Sequence, residues 1–378
     1  MTALEVDITK RLDSFSLKVS FAIERPTEIM ALLGPSGCGK SMTLKCIAGI
    51  ERPDSGRIVL GGRTLFDSAA RIDLPPQQRR VGYLFQSYAL FPTMTVEQNV
   101  RAGAAGSSRE ERAARAAKEI AAMRLEGLEH RKPSQLSGGQ QQRCAMARIL
   151  ASDPELILLD EPFSALDGYL RWQLELELAD VLRGFPGGAV YVSHNRDEVY
   201  RMCDTVCVLD HGRSDAKVSV RELFAAPATL AAALISGCKN VSRAQVAGPD
   251  LLACEDWGVT LRTSLPVPPG ITHAGIRAHY FEAHGSGDTP GALENAIPCT
   301  VERVIDSTFS TIVMARTPGG TPLRYECEKD DWAALGNLAH LVLVAPPATV
   351  MPLVSTHEDG ASSLGTERDT KTEGPLHA

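Results

Sequence analysis

The chain lacks any apolar run long enough to cross a bilayer; the longest stretches, such as LAHLVLVA before Pro346 and Pro347, are short and broken. Its N-terminus, MTALEVDITKRLDSF, has no basic segment followed by an apolar core, so no signal peptide is read. Nine cysteines are scattered without a CxxC pair or a Cys/His metal spacing. That is the thiol usage of a reducing compartment, where cysteines pack as small hydrophobes. Positive charge is not in excess either: the formal net charge of −7 argues against a nucleic-acid binder that works by phosphate neutralisation. No internal repeat is found. These absences predict a cytosolic protein whose contact with a membrane runs through a partner.

At 378 residues the chain is too long for one typical compact domain, and 44% hydrophobic with 22% charged residues suits a globular protein with a real core. Up to about residue 225, aliphatic runs alternate with longer helical ones. EIMALLG (28–34), RRVGYLF (79–85), ELILLDE (155–161) and GAVYVSH (188–194) are continuous apolar runs ending in polar residues. Parallel strands buried on both faces look like this. REERAARAAKEIAAMRLEGL puts alanines and aliphatics at helical spacing with arginines opposite. The expectation is an α/β domain over residues 1–226 with a helical insertion at about 87–150. Past Pro227 the texture changes. A linker at 227–240 precedes short β-type runs separated by PVPPG, GSGDTPG and TPGGTP, which predicts a small all-β domain over 241–354. Residues 355–378 read as a disordered tail.

GPSGCGKS fits G-x-x-x-x-G-K-[ST] at every position: Gly34, Pro35, Ser36, Gly37, Cys38, Gly39, Lys40 and Ser41. It follows a predicted strand and precedes a helical run. Glycines let backbone N–H groups converge on phosphate oxygens, and the helix N-terminus adds its dipole. Lys40 then reaches the β/γ-phosphates of ATP, and the Ser41 hydroxyl ligates Mg²⁺. Cys38, inside the loop, is expected to be open to thiol reagents until ATP covers it. Asp160 ends an aliphatic strand, as an acid holding a Mg²⁺ shell would. Glu161, directly after it at the strand tip, is placed to polarise an attacking water.

Together with Gln86 in YLFQSYALFP, LSGGQQQR, LILLDEPFSALD and His194 in YVSHN, this set resembles the ATP-binding subunit of ABC transporters. The resemblance covers roughly residues 4–225, with all five motifs in the family's order. It implies that Ser137, Gly138, Gly139 and Gln140 serve a γ-phosphate bound by the other copy of a homodimer. It implies Gln86 as the residue that contacts Mg²⁺ and water and senses the membrane partner, His194 as the γ-phosphate switch, and Asp167 as part of the loop that speaks across the dimer. Met42 departs from the family, standing where a second hydroxyl is usual. Phe15 is the candidate for adenine stacking; Leu12 is the alternative register, and plain core packing of Phe15 stays open. Tyr88, Leu90 and Phe91 either line a groove for a membrane subunit or pack in the core.

The later β-rich region resembles the OB-like regulatory domain of importers served by a separate binding protein. DSTFST (306–311) either serves an oxyanion or makes a turn, and the turn is the plainer reading. HNRDEVYRMCD, SGCKNVSRA and AGIRAHYF look most similar to molybdate-importer ATPases, with sulfate, ferric-ion and polyamine importers as alternatives. The resemblance thus implies an ATP-hydrolysing, peripheral subunit on the cytoplasmic face of a bacterial membrane. Its partners would be a second copy, permease subunits and a substrate-binding protein. An ABC-type ATPase without membrane partners is the competing class; its usual second cassette or long coiled coil is missing.

Overall fold

The computed structural model describes residues 3–12, 15–164, 168–285, 293–336 and 338–355, without the side chains of residues 168–170. The chain forms two compact units, one reaching to Asn240 and including Ile276–His279, the other made of Val241–Gly275 and the chain from Tyr280 onward.

In the first unit, β1 (Leu4–Arg11) and β2 (Ser16–Ile23) alternate buried and exposed side chains. That period of two belongs to antiparallel strands covered on one face. β3 (Ile29–Leu33) is buried at every position and leads through the glycine-rich loop into α1 (Lys40–Ala48). β4 (Ser55–Leu60), β5 (Arg63–Asp67) and β6 (Ile72–Asp73) extend the antiparallel wing. A short helix, α2 (Pro76–Arg79), delivers the fully buried Arg79, which donates to Cys46 O and Ile47 O (2.8 and 3.0 Å) and so caps the C-terminal carbonyls of α1.

β7 (Val81–Leu84) is followed by three helices, α3 (Val96–Gly103), α4 (Arg109–Ala122) and α5 (Gly138–Ala151). β8 (Leu156–Asp160), α6 (Gly168–Gly184), β9 (Gly188–Ser193), α7 (Arg196–Met202) and β10 (Thr205–Asp210) come next. The parallel core runs β10-β3-β9-β8-β7. β11 (Arg213–Ser214) pairs with both β10 and β2 and joins core to wing in one mixed sheet. Within β3, Ile29, Ala31 and Leu33 enter one hydrophobic cluster while Met30 and Leu32 enter another. A strand buried on both faces needs this continuous apolar sequence.

The stretch 227–240, read as a linker, is partly helical. α8 (Leu230–Ile235) buries Ala232 and Ala233, and Arg277, on the segment that returns to this unit, donates to Ser236 O at 2.8 Å. Among the described residues the second unit holds two five-stranded sheets, with bounds running from Asn240–Gly248 to Met351–Leu353. DSTFST is a hairpin turn there: Ser307 N–H donates to Ser310 O at 2.9 Å, and Phe309 at its tip is 88% exposed.

Candidate active site

β3, β8 and β9 are parallel neighbours, so their C-terminal ends lie side by side. The phosphate loop leaves β3, Asp160 ends β8 with Glu161 directly after it, and His194 follows β9. Ligands of open α/β sheets bind at such strand ends.

The loop closes tightly at its start. A Cβ on Gly34 would stand 2.2 Å from Leu209 O on β10, so no larger residue fits without moving that strand. Gly39 adopts φ 107° just before α1. Lys40 is buried, and its ammonium donates to Gly34 O and Pro35 O, both at 2.8 Å. Carbonyls orient this cation without neutralising it. Among the described residues this buried charge is held by dipoles, which favours an anion, and the chemistry of the loop fits a phosphate chain.

Ser41 Oγ donates to Asp160 Oδ1 at 2.8 Å, and Tyr83 OH donates to Asp160 Oδ2 at 2.9 Å. Hydroxyl and carboxylate oxygens together suit a Mg²⁺ ion, whose remaining ligands are usually phosphate and water. Among the described residues no group of three or more His, Cys, Asp or Glu is arranged to hold a metal. Tyr83 was missed by sequence reasoning. Burial, then the neighbouring Asp160 charge, pushes its phenol far above the ordinary tyrosine value, so it stays a proton donor.

Glu161 sits at φ 46°, a left-handed conformation that costs a side-chain-bearing residue roughly 1–3 kcal/mol. Its N–H donates to Val192 O at 3.0 Å, and its Oε1 stands 3.3 Å from His194 Nδ1. The turn thus turns this carboxylate toward the histidine. His194 leaves a strand end that is itself pinned: Ser193 Oγ and Tyr191 OH both donate to Glu198 (2.8 and 2.9 Å), and Asn195 caps α7. Gln86 Nε2 donates to Ser164 Oγ at 3.0 Å, and that hydroxyl donates to Glu161 O at 3.1 Å. An open cleft of about 470 Å³ beside this group is lined by Lys45, Phe85, Gln86, Ser87, Asp160 and Ser164.

Ser137 is exposed and caps α5. Its Oγ accepts from Gln140 N–H at 3.3 Å while Gln140 Oε1 accepts from Ser137 N–H at 2.9 Å. This reciprocal capping box fixes the loop before any ligand arrives. Gly139 is buried where a Cβ would come within 3.0 Å of Leu174 Cδ1 on α6, whereas Gly138 is half-buried. Pro35, Ser36 and Gly37 form the turn of the phosphate loop, with Cys38 N–H donating to Pro35 O at 3.4 Å.

Several expectations change. Cys38 is 5% exposed, and burial raises its thiol above the ordinary cysteine value. It is therefore not the open, reactive thiol expected. Tyr88 is buried in the core, Leu90 packs against it, and Phe91 stays 46% exposed, so the three do not share one role. Phe15 and Leu12 both pack against the cluster beneath β2, with Phe15 the one beside Gly39 of the phosphate loop. Met42 is half-buried against the same cluster. Asp167 lies outside the described residues.

The sequence profile described as ABC transporter matches residues 17–164. The chain is 39% identical over 331 residues to the Fe(3+) ions import ATP-binding protein FbpC of Brucella abortus, covering 86% of this chain and 87% of that one. It is 42% identical over 339 residues to the spermidine/putrescine import ATP-binding protein PotA of Methylococcus capsulatus, covering 87% and 85%. Among solved structures it is similar to cbiO1 from Clostridium perfringens, part of the ABC transporter complex cbiONQ. The TM-score there is 0.52 with 27% identity, over 59% of this chain and 91% of that one. The likeness to molybdate importers drawn from short segments gives way here, because these relatives are named for iron and polyamines.

Proposed function

Because this chain belongs to the ABC transporter ATP-binding proteins, ATPases coupled to transport, we propose that it energises uptake of a cationic solute, ferric ion or a polyamine, through separate membrane subunits. Molybdate is no longer the leading cargo. The observation that carries the ATPase part is the run Ser41–Asp160–Glu161–His194 across adjacent strand ends, next to a buried, unneutralised Lys40. The cargo part rests on the relatives. No described helix is long and apolar enough to cross a membrane, so permease subunits, together with a substrate-binding protein, would carry the solute.

Lys40 and the loop N–H groups bind the ATP phosphates, and Phe15, half-buried beside Gly39, is the candidate to stack on the base. Ser41 and Asp160 would hold Mg²⁺, which when bound neutralises charge developing on the phosphates. Glu161 accepts a proton from the water that attacks the γ-phosphorus in line, releasing ADP and phosphate. His194 holds that carboxylate in place. Ser137 faces outward and, with its neighbours, completes the site of a second copy.

Uptake of radiolabelled ferric ion, spermidine and molybdate in cells lacking this chain, restored with the native or the Glu161→Gln form, tests the proposal. Loss of iron or spermidine uptake that only the native form repairs is expected. A molybdate defect alone would replace the cargo; no defect in any uptake would refute the transport role.

A further inference from the structure

We propose that Arg148 and Tyr88 form a second positioning link to the Glu161 turn, one that starts on the helix carrying Ser137 and does not pass through Gln86. Arg148 lies on α5 eleven residues beyond Ser137, about 16 Å further at the helical rise. Its Nη1 donates to Ala89 O at 2.8 Å and its Nη2 to Tyr88 O at 2.9 Å. The planar fork of a guanidinium matches two neighbouring carbonyls in a way no other side chain does.

Those carbonyls belong to an unusual turn. Tyr88 and Ala89 both have positive φ, 60° and 44°, and neither is glycine. Two consecutive left-handed residues persist only where their surroundings hold them. Arg148 supplies that hold, and its guanidinium carbon lies 5.5 Å from the centre of the Phe91 ring. Gly103, ending α3, closes the site from behind: a Cβ there would stand 2.6 Å from Arg148 O. The turn then reaches the reaction centre. The Tyr88 ring is buried, and its hydroxyl donates to Pro162 O at 3.3 Å, one residue after Glu161. The Gln86–Ser164 pair grips the same turn through Glu161 O.

A shift of α5 when Ser137 engages nucleotide therefore reaches the Glu161 turn through Arg148, the 88–89 carbonyls and the Tyr88 hydroxyl. This rests on the reading of Glu161 as the proton acceptor. Arg148 and Tyr88 are positioning residues that touch no reactant.

The test is a double-mutant cycle on the full chain, with Tyr88→Phe, Arg148→Met and both together. Readouts are kcat, KM for ATP and the thermal midpoint, with Arg148→Lys as the conservative variant. Each single change is expected to lower kcat about 3–10-fold with KM within twofold. The double should be no worse than the poorer single, since both break one path. Arg148→Lys should not fully restore kcat, because an ammonium lacks the planar fork that presents one N–H squarely to each carbonyl. Native kcat in Tyr88→Phe, or single effects that multiply in the double, would overturn the link. Tyr88→Phe removes one hydroxyl, so it keeps the proposal testable even if Arg148→Met unfolds. Glu161→Gln is assayed separately: normal hydrolysis there would sink the proton-acceptor reading, while coupling in the cycle would still locate the link.

Discussion

The phosphate loop and the Ser137 segment are both glycine-rich turns at helix N-termini, yet they are finished differently. Around the phosphate loop the polar groups converge within one chain: Lys40 on the loop carbonyls, Ser41 and Tyr83 on Asp160, Glu161 on His194. At Ser137 they close on themselves in a capping box, with the serine exposed and Gly139 locked against Leu174. One turn is a nearly complete binding wall. The other is a rigid, outward-facing surface without chemistry of its own. On the proposed reading, stiffness at Ser137 would serve a ligand held by a second copy, as a site shared between two copies requires.

The largest expected effect lies on the complete wall. Glu161→Gln should cut steady-state ATP hydrolysis by at least about 100-fold while leaving nucleotide affinity, measured by fluorescent ATP titration, near native. Loss of affinity in parallel would make Glu161 a binding group and erase its distinction from Lys40. Next comes Gly34→Ala, whose Cβ would collide with Leu209 O. It should lower the thermal midpoint by several degrees, on the order of 2 kcal/mol, and weaken ATP binding. Unchanged stability would mean that β10 yields easily and the wall is softer than described.

The outward turn is probed by a pair. Ser137→Ala and Gln140→Ala each remove half of the capping box and should each cost about 1 kcal/mol of stability. Ser137→Ala, which also removes the hydroxyl offered to the second copy's nucleotide, should reduce hydrolysis the more, by roughly tenfold. Equal losses of activity would reduce Ser137 to a cap and end the comparison. The smallest effect on activity belongs to Tyr83→Phe, which deletes one hydrogen bond to Asp160 while leaving that from Ser41 in place. Half-maximal activation should need several-fold more Mg²⁺, with ATP binding in EDTA unchanged. Because burial keeps this phenol protonated, the native Mg²⁺ requirement should gain no pH dependence from tyrosine ionisation.

Much of this site was legible because its motifs are local. Gly34–Ser41, the Asp160–Glu161 strand tip and His194 each announce themselves within a few residues, next to apolar runs that could only be buried strands. Tyr83, Arg148 and Ser164 are not legible, and for Tyr88 the sequence offers only groove lining or core packing. Each acts through a tertiary contact, such as Arg148 Nη1 to Ala89 O across 59 positions of sequence. Nothing in their own neighbourhoods marks them. The antiparallel wing was readable but unread: LEVDITKR and SLKVSFAI alternate as half-buried strands should. The Ser-x-x-Gln spacing of LSGGQ carried a capping-box signal too, masked by its resemblance to a phosphate contact. Cys38 shows the opposite error, since a residue inside a ligand loop need not face the ligand.

The most direct test of the shared site is ATP hydrolysis by mixed variants. Lys40→Met disables one copy's phosphate loop and Ser137→Arg disables the other's outward turn, so each protein alone should be close to inactive. The account predicts that a one-to-one mixture regains a clear fraction of native activity, because mixed dimers pair an intact loop with an intact Ser137 segment. A mixture no more active than its two components would contradict it.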